Sequence, residues 1–80
     1  MTEREKQTQR RLKSAGYECH WRGPSSERWC TVTLYRTTIR LQATIHNGNV
    51  AAVTCAGHCT IERLERFLRR IREALNDGEE

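Results

Sequence analysis

The sequence predicts an α+β fold: an antiparallel three- to four-stranded meander with a C-terminal helix packed on one face and a short N-terminal helix, in the order α-β-β-β-β-α. Three patterns carry this prediction. Apolar residues alternate with period two from Cys30 to Ile45, Asn47-Gly48 is a strong hairpin signal, and apolar residues recur at steps of three and four after Thr60. A chain of 80 residues has room for one core, so 1–80 reads as a single domain, with 1–10 frayed and 77–80 a solvated acidic tail.

Residues 2–15 are rich in helix formers, with Thr2 placed as a cap, Glu3 and Glu5 in the first turn and Gly16 suited to a left-handed stop. The apolar anchors of this helix are Leu12 and Ala15, which predicts docking by its last turns. Residues 17–22 alternate apolar and polar and read as a short strand, closed by the loop Gly23-Pro24-Ser25-Ser26-Glu27.

Beyond Arg28, the apolar residues Cys30, Val32 and Leu34 fall on even positions, whereas Ile39, Leu41, Ala43 and Ile45 fall on odd ones. One straight strand would send these sets to opposite faces. A two-residue turn at Arg36-Thr37 removes the conflict and pairs Leu34 with Ile39, Val32 with Leu41 and Cys30 with Ala43. Across Asn47-Gly48, Ile45 is expected opposite Val50 and Ala43 opposite Ala52.

Thr60 is placed to cap a helix with an apolar stripe of Ile61, Leu64, Leu68, Ile71 and Leu75, flanked by Phe67 and Ala74 and ended by Asn76-Asp77-Gly78. The opposite face holds Arg63, Arg66, Arg69, Arg70 and Arg72 with Glu62, Glu65 and Glu73. Glu62 with Arg66 and Glu65 with Arg69 are spaced as i,i+4 ion pairs.

Only 36% of residues are apolar and 30% are charged, but the periodic placement of the apolar ones argues for a folded chain. The N-terminus lacks the apolar stretch of a secretory signal, and no segment approaches the roughly 20 apolar residues of a membrane span. A cytoplasmic location without a membrane partner is therefore expected. Net charge is +4, with five basic and two acidic side chains in residues 1–16, a balance that favours acidic partners such as nucleic acid.

In a reducing compartment the four cysteines read as core residues before disulfides or metal ligands. Cys55, His58 and Cys59 are the most metal-like group, and Cys19, His20 or Cys30 could complete four ligands. Their spacing matches no common zinc module, and Cys30 is expected to point inward where Cys55 points outward. They stay weak candidates, with no metal or other cofactor assigned. A Cys59–His58 nucleophile lacks a third orienting group, so no catalytic residue is assigned either.

With the last helix on one face of the sheet, the other would carry Trp29, Thr31, Thr33, Tyr35, Arg40, Gln42, Thr44 and His46. Trp29, Tyr35, Arg40, Gln42 and His46, joined by Arg22, Arg28 and Arg36, make an aromatic and basic partner surface, of the kind that anchors protein interfaces or stacks on bases.

The stretch Leu12-Lys13-Ser14-Ala15-Gly16-Tyr17-Glu18 resembles the helix-to-strand junction of HicA-type toxins, which are built on the double-stranded-RNA-binding fold; the likeness covers residues 1–25. It implies nucleic-acid contact. The His that those toxins place after a Gly-Ser pair has no counterpart in Gly23-Pro24-Ser25-Ser26-Glu27, so the implied domain is HicA-like without the usual catalytic His. In size and plan the chain also resembles the small phage-encoded inhibitors of bacterial defence, anti-CRISPR proteins in particular. That resemblance implies action in the host bacterial cytoplasm by blocking target-DNA binding by the CRISPR effector.

The resulting expectation is a non-enzymatic inhibitor or adaptor that binds a bacterial protein or nucleoprotein complex, as a monomer or as a weak dimer through an exposed strand edge. The alternative is a domain that binds nucleic acid directly.

Overall fold

The structure, a computed structural model, describes residues 1–76. Its elements are α1 (Glu3–Ser14), β1 (Glu18–Arg22), β2 (Trp29–Arg36), β3 (Ile39–His46), β4 (Asn49–Gly57) and α2 (Ile61–Asn76). The strands form one antiparallel sheet in the order β1-β2-β3-β4, which gives the expected α-β-β-β-β-α plan. The helix stop and acidic tail expected at residues 77–80 lie outside the described residues. Among the described residues no helix is long and apolar enough to cross a membrane.

Both ends of α1 follow the local chemistry. The Thr2 hydroxyl accepts the Glu5 N–H at 3.1 Å. At the far end, Gly16 takes a φ of +90° while its N–H donates to the Lys13 carbonyl and the Tyr17 N–H to the Leu12 carbonyl, a double-bonded helix stop with buried Leu12 and Tyr17 in contact range beneath it.

α1 also docks at its start, which its apolar residues did not foretell. Glu5 and Thr8 are buried with Leu12, Glu5 being held by Arg28. The Thr8 hydroxyl donates to the Arg4 carbonyl at 3.0 Å and reaches the Ala74 carbonyl of α2 at 3.3 Å.

The β2–β3 register differs from the expected one. Arg36 pairs with Ile39, so the turn is Thr37-Thr38, and Leu34 faces Leu41, Val32 faces Ala43 and Cys30 faces Ile45. Both registers put the same side chains on the same faces, because they differ by a full period of the strand. In the observed register, Ile45 and Ala43 are buried across from Cys30 and Val32.

In the next hairpin, Asn47 (φ 48°) and Gly48 (φ 85°) form the two-residue turn and Ile45 faces Val50 as expected. Ala43, however, faces Val53 rather than Ala52, because a bulge at Ala51 inserts one extra residue into β4. The extra residue reverses the faces beyond it. Cys55 therefore lies opposite Leu41 on the helix side of the sheet, not outward. Gly57 ends β4 with φ +92°, so close to the Thr38 carbonyl that a Cβ would collide with it.

The core joins Tyr17, Cys19, Cys30, Val32, Ile39, Leu41, Ala43 and Ile45 of the sheet side to Leu12 of α1 and Phe67, Ile71, Ala74 and Leu75 of α2. The buried stripe of α2 is rotated from the expected one. Leu64 and Leu68 are half-buried and Ile61 is 76% exposed, whereas Phe67 is sealed. The helices cover β1 to β3; β4 packs on β3, and its Val50 and Val53 are only half-buried.

Candidate functional site

The face of the sheet turned away from both helices is assembled from cross-strand rows. One row runs Arg22, Trp29, His46, Asn49; another His20, Thr31, Thr44, Ala52; a third Glu18, Thr33, Gln42, Thr54; the last Tyr35, Arg40, Ala56. Period two over β2 and β3 places these residues here, while Cys30 and Val32, between Trp29 and Thr33, point to the other side and lie in the core.

Two contacts organise the surface. The Trp29 and His46 rings stack with centroids 4.1 Å apart and planes 24° apart. The His46 Nε2 lies 3.3 Å from a Glu27 carboxylate oxygen, at ion-pair distance without hydrogen-bond alignment. At the other end of the hairpin the Arg40 guanidinium sits over the Tyr35 ring, 5.6 Å from its centroid, and donates to the Gln42 side-chain oxygen at 3.5 Å. Tyr35 is 53% exposed, an uncommon display for a large aromatic side chain. Arg40 and Trp29 each rest on a cross-strand neighbour, Tyr35 and His46 respectively.

Of the eight partner-surface residues read from the sequence, six share this face: Arg22, Trp29, Tyr35, Arg40, Gln42 and His46. Two do not. Arg28 is engaged in the fold: its Nε and Nη2 donate to the two Glu5 carboxylate oxygens at 3.0 Å each, its Nη1 donates to the Gly23 carbonyl, and its guanidinium lies 6.0 Å from the Trp21 ring centroid. Arg36 pairs with Ile39 and so stands on the helix side of the sheet. Nothing in the local pattern around Arg28 marks it as the partner of a glutamate 23 residues earlier.

The cysteines fall into two pairs. Cys55 and Cys59 are joined in a disulfide, their Cα atoms 6.4 Å apart, the pairing the sequence reading ranked behind core positions. A bonded pair has no thiolate to give a metal, so the Cys55, His58 and Cys59 group cannot ligate in this form. Cys19 and Cys30 are free and buried, with sulfurs 3.2 Å apart. The hydrogen bond with Cys19, together with burial, pushes the Cys30 thiol up, while that same bond draws the Cys19 thiol down.

Comparison with protein-family models, curated proteins and solved structures finds no match to this chain.

Proposed function

We propose that this chain is a non-enzymatic binding domain that docks a bacterial protein or nucleoprotein complex through the outer face of its sheet. The observation that carries the reading is the pair of braced aromatics, Tyr35 under Arg40 and Trp29 on His46, on a face that neither helix covers. Aromatic and arginine side chains supply most interface anchors, and anchors already held in place lose little entropy on binding. The free thiols of Cys19 and Cys30 are buried, out of reach of a substrate. Inhibition by such a domain is occlusion. The CRISPR effector, blocked where it binds target DNA in the host cytoplasm, is the nucleoprotein target that the likeness in kind suggests.

The test is an affinity pull-down from bacterial lysate with wild-type protein and with Tyr35→Ala/Arg40→Ala, with and without nuclease, at two salt concentrations. A protein band that survives nuclease and salt and disappears with the double variant supports the reading. Equal recovery by both forms removes this face. Recovery of nucleic acid alone, lost at high salt, favours direct nucleic-acid binding instead.

A further inference from the structure

Away from the outer face, a cleft of about 550 Å³ opens between the β2–β3 turn and α2. Arg36 stands on one wall and Arg63, Arg66 and Arg70 on the other, and no aspartate or glutamate lines it. Spacings of three and four residues put the three helix arginines on one stripe of α2. Arg36 joins them only because the turn falls at Thr37-Thr38, which turns its side chain to the helix side.

These charges are not neutralised within the fold. Among the described residues none of the four forms an ion pair, and the expected Glu62–Arg66 pair is not made. Among the described residues, the sole side-chain hydrogen bond of these four guanidiniums is from Arg36 to the Tyr35 carbonyl. Like charges at i,i+3 and i,i+4 repel, so the cleft holds an unfavourable term that an anion would relieve. The buried Tyr17 shares this lining; burial pushes its phenol up, while Arg70, Arg36 and Arg66 pull the other way.

We infer that the cleft binds the phosphodiester backbone of a nucleic acid strand, with Arg36 and the Arg63–Arg66–Arg70 stripe gripping successive phosphates from two sides. The length suits a strand better than a lone anion: seven residues of helix rise by about 10 Å, the axial rise of roughly three nucleotides. Guanidinium forks match phosphate oxygens two by two. This site is separate from the outer face and does not rest on the reading given to it.

The experiment is fluorescence anisotropy of the full chain with labelled DNA of about 12 nucleotides, single-stranded and duplex, titrated between about 50 and 200 mM salt. Four phosphate contacts predict a log–log salt slope of about −2.8 for the single strand and about −3.6 for the duplex, and whichever probe binds more tightly identifies the source of the backbone. R66E/R70E should weaken binding at least about tenfold and flatten the slope by about two contacts' worth. R69E/R72E makes the same change in net charge on another face of α2, where Glu65 and Glu73 are neighbours, and should bind as wild type. If R66E/R70E loses the wild-type circular dichroism spectrum, R66Q/R70Q takes its place.

Equal losses in the two charge-reversal variants, or none in either, overturn the site. So does competition by polyglutamate as effective as that by unlabelled DNA at equal charge, which would mark it as an acidic-protein site. Tyr35→Ala/Arg40→Ala should leave DNA affinity unchanged, so failure of the outer-face reading and failure of this one are seen separately.

Discussion

Glu5 and Arg28 form a two-pronged ion pair, Nε to one carboxylate oxygen and Nη2 to the other, both at 3.0 Å, with side chains only 11% and 24% exposed. It fastens the first turn of α1 to the start of β2. Removing one partner leaves a half-buried charge alone, so Glu5→Ala should cost about 2–3 kcal/mol. Glu3→Ala, whose 3.5 Å pair with Arg10 is open to solvent on both sides, should change little. Urea denaturation followed by circular dichroism measures both, and equal costs would mean that the buried pair contributes nothing special.

The rotated stripe of α2 makes a sharp contrast along one helix. Phe67→Ala should destabilise by about 3–5 kcal/mol and Ile71→Ala by about 2–5 kcal/mol, because both side chains are sealed in the core. Ile61→Ala should fall within about ±0.5 kcal/mol. A large effect at Ile61 in the isolated chain would show that the helix is seated differently.

Tyr17 ties stability to alkaline pH. Burial raises its phenol above the ordinary 10.0, against the pull of Arg70, Arg36 and Arg66. Below pH 10 both folded and unfolded chains hold the proton and the contribution is fully present. Above it the unfolded chain ionises first, so stability falls as pH rises toward the folded value. Tyr17→Phe should flatten the decline above about pH 10 relative to wild type. Parallel curves for the two proteins would assign the alkaline loss to other groups.

The thiols should separate by accessibility. Native, unreduced protein treated with iodoacetamide is expected to gain no adduct by mass spectrometry, since Cys19 and Cys30 are buried and Cys55 is bonded to Cys59. Denaturation without reductant should expose the first pair alone, and reduction should release the second. Rapid labelling of Cys55 and Cys59 without reductant would show that they are not joined.

How much of this was legible before the structure depends on the range of the interaction concerned. The Asn47-Gly48 turn, the Thr2 and Thr60 caps and the Gly16 stop are decided within a few residues, and each stands where local chemistry put it. Period two likewise assigned the outer-face residues of β2 and β3, since a slip of one whole period changes partners without changing faces. What escaped was non-local. The Ala51 bulge has no mark in the sequence, and it moved Cys55 to the other side of the sheet. The Glu5–Arg28 bond joins distant positions, so a residue read as part of a partner surface belongs to the scaffold. The arginine cleft needs both the true turn at Thr37-Thr38 and the true orientation of α2, neither of which period counting supplies.

The two borders of the sheet are unlike each other. β1 is five residues long and carries Glu18 and Arg22, whereas β4 is nine residues long and contains no charged residue and no proline. Charge discourages a foreign strand from adding to the first border, and only the Ala51 irregularity interrupts the second. A stack that grows without end needs two receptive borders. Strand-to-strand joining in this chain would have to bring β4 against β4 about a two-fold axis, which consumes both open borders at once and stops at a pair rather than a fibre.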